Sequence, residues 1–343
     1  SETFTLTDPP DLSGALSITQ PVSCNGVSDG AITFIVSNVN TGTPGYQFSI
    51  DGGATFQNSN TFSGLAGGQT HTILIEDVNG CQFSASIFLS EPTAITFNVS
   101  SLDFNGFGVS CNGATDGQIV IFSPSGGSPP YAYSINGGAT YSSTMIYNAP
   151  GNPISAGTYV VTVKDNNDCT NDTTIIITEP LPFSITATET SPVSCFGDCD
   201  GEVTVTWLNG VGVITYNMVS FPPSQTTTVW DSLCAGSYTI NATDANGCMA
   251  NTTITLTEPN PWVYTVDSTA ETCNSSNGTA SINVTSGGVA PLAYLWDDPV
   301  PQQITATATN LATGMYEVRV TDANGCTFTE DVFVGEADIT LAL

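Results

Sequence analysis

The sequence predicts an all-β protein made of tandem β-sandwich repeats of the immunoglobulin-like or fibronectin-like kind, arranged end to end as a rod. One closing segment, a Gly-rich turn with a cysteine followed by a strand and a glutamate, recurs four times. Apolar and polar residues alternate before each of these turns, as they do along a half-buried strand. No apolar stripe with the period of a helix survives the density of glycine, proline and β-branched residues, so we predict no helix.

The closing segment sets the length of the repeat. Its clearest copy is Thr243–Pro259, which begins Thr-Asp-Ala-Asn-Gly-Cys and ends Thr-Glu-Pro. The glutamate lies ten residues after the cysteine in all four copies, at Glu91, Glu179, Glu258 and Glu336. These glutamates are 78 to 88 residues apart, which places the repeats at 13–92, 93–180, 181–259 and 260–336.

The two ends of the chain match pieces of further repeats. Residues 1–12 match the last strand of a repeat, and residues 337–343 match the first strand of another. We therefore expect the chain to be a window from a longer array. An alternative is that Glu2–Leu12 completes a neighbouring subunit by donating a strand, which would make the chain a filament subunit.

Within repeat one, an opening loop that starts at Cys24 precedes a series of short strands, and the same order returns in the other repeats. The strands are predicted at Ala31–Val36, Pro44–Ile50 and His71–Ile75, followed by the closing strand. A proline follows three of the four closing glutamates. Proline fixes its own backbone and extends the residue before it, so these junctions favour a stiff rod over a flexible string.

The composition excludes several classes of function. The chain of 343 residues carries 31 acidic and 2 basic side chains, a net charge of −29. This charge repels phosphate and anionic lipid, so we predict no binding to nucleic acid. No segment approaches the roughly 20 continuous apolar residues of a membrane-spanning helix, so we predict no membrane insertion.

Ten cysteines supply staples for repeats that are too small to bury a large core. One cysteine lies in each opening loop and one after each closing turn, and their separations within a repeat are 53 to 58 residues. The matching separations predict four bridges inside single repeats, with a fifth in repeat three: Cys24–Cys81, Cys111–Cys169, Cys195–Cys248, Cys273–Cys326 and Cys199–Cys234. So many disulfides indicate an oxidising, extracellular location.

No cofactor is predicted, although several aspartates are weak calcium candidates. They lie in the opening loops and in the Asp-x-Asn-Gly turns, at Asp29, Asp77, Asp116, Asp244 and Asp322. Calcium takes six or more oxygen ligands, and each of these segments offers one or two carboxylates. Because Asn-Gly is also a favoured turn dipeptide, the pattern favours a structural turn over a calcium site.

Aromatic side chains offer a candidate glycan contact at Tyr294 and Trp296 in repeat four. Alternating aromatic residues on a strand more often pack in the core, and we favour that interpretation. The single histidine, His71, occupies the position that Tyr159, Tyr238 and Tyr316 hold in the other repeats, which indicates an aromatic core or corner position. The sequence contains no catalytic motif, so we predict that the protein is not an enzyme.

The repeats carry the motifs Cys-Asn-Gly-x-x-Asp-Gly, Pro-Tyr-x-Tyr-Ser, Ala-Gly-x-Tyr, Thr-Asp-x-Asn-Gly-Cys and Thr-Glu-Pro. In combination, these motifs resemble the SprB-type repeat of the giant surface adhesins of gliding Bacteroidota. Repeat two fits best, repeat three departs at its second strand, and repeat four departs in its opening loop. The resemblance implies a stalk segment of a secreted cell-surface filament that serves gliding motility and attachment. It also implies export by a type IX system and contact with neighbouring repeats, the gliding machinery and a polysaccharide or other substratum.

Overall fold

A computed structural model describes residues 11–37, 42–148, 150–219, 221–298 and 301–337. The strands of repeats one and two are β1 (Gly14–Gln20), β2 (Gly30–Val36), β3 (Gln47–Ser49), β4 (Thr61–Leu65), β5 (Gln69–Glu76), β6 (Gln82–Leu89), β7 (Thr96–Ser101), β8 (Gln118–Ser125), β9 (Ala132–Ser134), β10 (Ile146–Asn148), β11 (Gly157–Lys164) and β12 (Thr170–Ile177). The described residues contain no helix, which confirms the predicted all-β fold.

The strands of repeats three and four follow a similar order along the chain. They are β13 (Ser184–Ser191), β14 (Gly201–Leu208), β15 (Thr215–Met218), β16 (Phe221–Gln225), β17 (Val229–Leu233), β18 (Gly236–Thr243), β19 (Met249–Leu256), β20 (Val263–Thr269), β21 (Gly278–Ser286), β22 (Ala293–Trp296), β23 (Thr307–Leu311), β24 (Gly314–Thr321) and β25 (Thr327–Val334).

Each repeat has two small antiparallel sheets. In repeat one their orders are β1-β2-β4 and β3-β5-β6, and in repeat two β7-β8-β10 and β9-β11-β12. Repeat three has β13-β14-β17 and the four-stranded β16-β15-β18-β19, and repeat four has β20-β21-β23 and β22-β24-β25. Alternate side chains of the sheets point inward, which is why the alternating patterns of the sequence become the core.

The predicted closing turn connects a regular hairpin in every repeat. In repeat one, β5 and β6 pair over eight residues, from Gln69 opposite Leu89 to Glu76 opposite Gln82. The hairpins β11–β12, β18–β19 and β24–β25 have the same eight-residue register. The five-residue closing turns therefore lie at equivalent ends of equivalent strands. They are Asp77–Cys81, Asp165–Cys169, Asp244–Cys248 and Asp322–Cys326.

Four separate hydrophobic cores lie between the sheets, one in each of the ranges 12–89, 95–177, 185–256 and 280–334. In repeat one, Phe34, Ile73 and Leu89 are fully buried. Leu12, which the sequence assigned to the strand of a preceding repeat, packs into this first core. The rest of that strand, residues 1–10, and nearly all of the predicted strand 337–343 lie outside the described residues.

Contacts divide the chain into two units, Ser1–Pro180 with repeats one and two, and Leu181–Leu343 with repeats three and four. Each unit therefore contains one complete transition from one repeat to the next. No helix among the described residues has the length and apolar character needed to cross a membrane.

Candidate functional site at the repeat joints

The disulfides join consecutive repeats within each unit. Cys24, in the opening loop of repeat one, bonds Cys169, which ends the closing turn of repeat two. Cys195, in the opening loop of repeat three, bonds Cys326, which ends the closing turn of repeat four. The Cα atoms are 5.6 Å apart in both pairs. We call each such pairing, between the opening loop of one repeat and the closing turn of the following repeat, a joint.

The predicted bridges inside single repeats are therefore wrong. None of Cys24–Cys81, Cys111–Cys169, Cys195–Cys248 and Cys273–Cys326 forms. Instead, Cys81 and Cys273 are exposed free thiols, and Cys111 and Cys248 are both disulfide-bonded. The fifth predicted bridge, Cys199–Cys234, is confirmed.

The physical reason is the length of the closing strand. In repeat one, β6 runs eight residues from the closing turn to Leu89, whose carbonyl oxygen accepts from Gly68. At about 3.4 Å per residue, such a strand separates its two ends by roughly 27 Å. The opening loop lies at the glutamate end of this strand, and Cys81 lies at the other end. Two cysteines of one repeat are therefore too far apart to bond, since a disulfide needs Cα atoms within about 7 Å.

An aspartate builds each closing turn. In repeat two, Asp165 Oδ1 accepts from the amides of Asn167 and Cys169, both at 2.9 Å, and its Oδ2 accepts from the amide of Ser128 at 2.7 Å. The other aspartates accept three equivalent amides at 2.8 to 3.0 Å: Asp77, Asp244 and Asp322. All four carboxylates are buried. They fix the backbone that carries the cysteine.

A second carboxylate closes each opening loop on itself. The amide of Ser23, beside Cys24, donates to Asp29 Oδ1 at 3.0 Å, and the amide of Ser194 donates to Asp200 at 2.9 Å. Ser110 and Asp116 form the same bond in repeat two. Hydrogen bonds from the side chain and then the amide of Ser23 lower the pKa of Asp29, and those from Ser194 lower the pKa of Asp200, because they favour the charged carboxylate.

The closing glutamates hold the opening loop of their own repeat. Glu91 Oε2 accepts from the amide of Gly26 at 3.0 Å. The same bond connects Glu179 to Gly113, and Glu258 to Gly197, at 2.6 Å. The constant spacing of these three glutamates thus has a structural explanation: each one lies at the end of the closing strand, beside the opening loop that carries a cysteine.

In repeat four, the opening loop is held by a different glutamate, Glu271, which the sequence analysis missed. Glu271 accepts from the amides of Ser276 at 3.0 Å and Thr313 at 2.9 Å, and the backbone bond from Thr313 lowers the pKa of Glu271. In the same loop, Asn277 Oδ1 accepts from the amide of Thr272 at 2.8 Å, in place of an aspartate. The shortened loop and its Asn were the available signals that this end of the repeat is built differently.

Direct contacts accompany the disulfide across each joint. In the first joint, Asn167 Nδ2 donates to the carbonyl oxygen of Ser23 at 3.2 Å, and Cys169 Sγ lies 3.3 Å from that oxygen. In the second, Asn324 Nδ2 donates to the carbonyl oxygen of Ser194 at 3.2 Å, and Cys326 Sγ lies 3.3 Å away. Two different pairs of repeats therefore use one joint geometry.

The remaining predicted sites have structural explanations. The candidate calcium ligands Asp77, Asp244 and Asp322 accept backbone amides in the closing turns, and Asp29 and Asp116 do so in the opening loops. No cluster of three or more His, Cys, Asp or Glu side chains that could hold a metal ion occurs in the part of the chain that the structure describes.

Trp296 holds the core position that the sequence analysis favoured, so the candidate glycan contact at this residue is wrong. Its side chain is completely buried in the core of repeat four, and its Nε1 donates to the carbonyl oxygen of Thr305 at 2.9 Å. Tyr294 is half-buried and packs against the same core. The aromatic residue of a strand that faces the sandwich interior cannot offer its face to a sugar.

The corner position of His71 is confirmed. Its Nε2 lies 2.8 Å from the carbonyl oxygen of Ala66. The hydroxyl groups of the equivalent tyrosines donate to the carbonyl four residues earlier, at 2.7 to 3.0 Å: Tyr159 to Ser155, Tyr238 to Cys234 and Tyr316 to Ala312. His71 thus replaces a tyrosine that anchors the turn before the closing hairpin.

These features define a protein of tandem β-sandwich repeats in which disulfides join repeat one to repeat two and repeat three to repeat four. The family model of the SprB repeat matches residues 16–55, 109–140, 187–218 and 265–301, one stretch in each repeat. Each of the four repeats therefore contains a stretch that matches the SprB repeat, as the motifs indicated.

Comparison with known proteins adds distant similarities of fold. No curated protein matches the sequence. Invasin, a bacterial integrin-binding protein, is similar at 13% identity over 94% of this chain and 79% of its own, with a TM-score of 0.34. The N-terminal eight Ig domains of Down syndrome cell adhesion molecule are similar at 10% identity over 94% of this chain, with a TM-score of 0.23. This chain spans 60% of the length of that structure.

Proposed function

We propose that this chain is a tension-bearing stalk segment of a secreted cell-surface adhesin filament, used in gliding motility and surface attachment. The four SprB repeats support the adhesin class, and the disulfides fit an extracellular location. The observation that carries the mechanical role is the joint, where a disulfide crosses from one repeat to the next beside the backbone connection.

The joints protect the repeats from force applied along the chain. The bridge Cys24–Cys169 bypasses 145 residues of sequence, and the bridge Cys195–Cys326 bypasses 131. Tension applied between Cys24 and Cys326 then passes through the two disulfides and through residues 169–195. Most of each sandwich lies outside this covalent path. Only β12 and β13 lie within residues 169–195, so the other strands between Cys24 and Cys326 are shielded from this tension.

Two attachment points at each joint also oppose bending. The backbone crosses the first joint at Pro92, whose carbonyl oxygen accepts from Asn25 Nδ2 at 3.1 Å. The disulfide crosses it again at Cys24. Two repeats held at two points lose much of the freedom that a single flexible linker would leave them. This supports a stiff connection between the two repeats of each unit as part of the proposal.

Single-molecule stretching of the whole chain tests this function. Because an extended chain spans about 3.5 Å per residue, residues 169–195 can extend to only about 90 Å in the oxidised protein, whereas residues 24–326 should extend to about 1,000 Å after reduction. The double variant Cys199→Ser/Cys234→Ser is the matched control, because its bridge lies inside a bypassed region and its loss should leave the oxidised length unchanged. Equal lengths in oxidant and reductant would contradict the proposal.

The partners in this proposal are neighbouring repeats, the gliding and type IX export machinery of a Bacteroidota cell, and a surface polysaccharide or other substratum. They are supported by the SprB repeats and by their resemblance to gliding adhesins. We propose no catalytic role and no cofactor. The thermal midpoint should therefore be the same in calcium and in a chelator, and a rise of several degrees in calcium would revise the role given to the aspartates.

A further inference from the structure

Cys81 and Cys273 occupy the two halves of a joint without being bonded. Cys81 ends the closing turn of repeat one, the position of Cys169 and Cys326. Cys273 lies in the opening loop of repeat four, the position of Cys24 and Cys195. Both thiols are exposed, whereas Cys326 is buried in its joint. The two formed joints therefore show what each free half is shaped to accept.

The closing turn of repeat one is already built for such a bond. Asp77 accepts the amides of Asn79 and Cys81 at 2.9 Å, as Asp165 does for Asn167 and Cys169. Asn79 donates to the hydroxyl of Thr43, as Asn167 donates to that of Ser128. The further bond that Asn167 donates to Ser23 has no counterpart for Asn79 among the described residues.

The opening loop of repeat four is likewise held in place from its own side. Thr272, beside Cys273, has its amide bonded to Asn277, and Glu271 accepts from the amide of Ser276, three residues after Cys273. In the formed joints, the residue before the loop cysteine supplies the carbonyl oxygen that the partner asparagine binds. Thr272 holds that position in repeat four.

We propose that Cys81 and Cys273 each complete a joint with another SprB repeat. Cys81 takes the opening-loop cysteine of one repeat, with Asn79 donating to the carbonyl beside it, and Cys273 takes the closing-turn cysteine of another. The partner is thus a second SprB repeat, in the same polypeptide or in a second copy of this chain. This deepens the proposed function by naming what the stalk binds at its two free joints.

The bond forms by thiol–disulfide exchange with a small disulfide oxidant such as oxidised glutathione. The two cysteine thiols lose two protons and two electrons in forming one S–S bond. The glutathione disulfide gains them and is cleaved into two molecules of glutathione.

A second copy of this chain is the probe, because each copy carries both halves. In a glutathione redox buffer, the native chain should form a ladder in steps of 35.5 kDa on non-reducing gels, and peptide mapping should identify Cys81–Cys273. The variants Cys81→Ser and Cys273→Ser should each stay monomeric and should form a heterodimer when mixed. A native chain that stays monomeric, or symmetric dimers that form as readily as the heterodimer, would overturn the proposal.

Two variants separate docking from simple thiol exposure. Asn79→Ala leaves the thiol unchanged and should slow heterodimer formation roughly fivefold, the value of one lost hydrogen bond. A second variant moves the thiol to another exposed site, by adding Ser101→Cys to a chain in which Cys81 and Cys273 are both replaced by serine. This variant should bond to Cys273 of the Cys81→Ser chain more slowly than Cys81 does, by at least that factor. Equal rates for Cys81 and for the displaced thiol would contradict a built joint.

Mapping of the protein from its own cells, with thiols blocked at lysis, identifies the source of the partner. A Cys81–Cys273 peptide indicates a second copy, and a Cys81 peptide bonded to a sequence absent from this chain indicates another repeat. Free thiols at both positions would overturn the proposal. The proposed stalk can fail separately, since stretching the chain tests only the two joints inside it and should be unchanged in the double variant Cys81→Ser/Cys273→Ser.

Discussion

The closing turns of repeats one and two have the same internal hydrogen bonds, although one cysteine is free and the other is bonded. Asp77 accepts three backbone amides beside the free Cys81, and Asp165 accepts three beside the bonded Cys169. Corresponding distances differ by at most 0.2 Å. The aspartate therefore shapes the turn, and the disulfide uses a turn that already exists.

This comparison assigns two separate roles within one motif. The aspartate of the shared pattern Asp-x-Asn-x-Cys is a local element that each repeat needs for its own closing hairpin. In repeats two and four, the cysteine forms the disulfide to the preceding repeat. Variants at the two positions should therefore differ both in the size of their effect and in their response to reducing agent.

The largest expected effect follows from removing the joint between repeats one and two. A bridge that closes a loop of 145 residues contributes about 4 to 5 kcal/mol in the chain-entropy model. The variant Cys24→Ser/Cys169→Ser should lower the free energy of unfolding of these repeats by about that amount, measured by circular dichroism in urea. All four tryptophans lie in repeats three and four, so the tryptophan fluorescence transition is an internal control and should not move. An unchanged circular dichroism transition would contradict the role of the joint.

Removal of the turn aspartate should have the next largest effect. Asp165→Ala leaves three amides without an acceptor, and at about 1 kcal/mol each this costs about 3 kcal/mol. Because the turn does not depend on the disulfide, the loss should persist in the reduced protein, again measured by circular dichroism. If the loss appeared only after reduction, the disulfide and not the aspartate would shape the turn.

Acid should weaken the opening loops in repeats one and three, because an aspartate closes each of them. Hydrogen bonds from Ser23 and Ser194 lower the pKa of Asp29 and Asp200, so their stabilisation is complete above the ordinary carboxyl pKa of about 4 and is lost as the pH falls through the lowered values. Asn277 makes the equivalent bond without titrating. The variant Asp29→Asn/Asp200→Asn should therefore show a flatter loss of stability between pH 5 and pH 2. Superimposable profiles for the variant and the native chain would argue against this.

The smallest effect is expected at the residue before the cysteine of the turn. Gly80, Gly247 and Gly325 hold this position with φ of 81° to 87°, and repeat two has Asp168 at 64°. Asp168→Gly removes a left-handed conformation that is costly for a side chain, and it also removes an exposed ion pair with Lys164 at 2.7 Å. The net change should be a gain in stability of less than about 1 kcal/mol by circular dichroism. A loss above that value would mean that the exposed ion pair stabilises the turn.

Cysteine pairing could not be deduced from regular spacing because the chain is periodic. The separation of an opening-loop cysteine from the closing-turn cysteine of its own repeat is nearly constant, and so is its separation from that of the next repeat. The usable signal for the pairing was the ten-residue separation of Cys81 and Glu91. Since Glu91 binds the opening loop, this interval is the length of the strand that keeps Cys24 and Cys81 apart.

The sequence by itself determined what depends on short-range order: the strands, the Asp-Asn-Gly turns, the aromatic corner that includes His71, and the burial of alternate residues. These follow from the pleat of a strand and from backbone preferences, which neighbouring residues set. Only the tertiary structure decided which cysteines meet and that Glu91 holds an opening loop 65 residues earlier. Such pairings depend on the position of whole strands in three dimensions, and a linear pattern that repeats in every unit cannot distinguish one neighbour from the next.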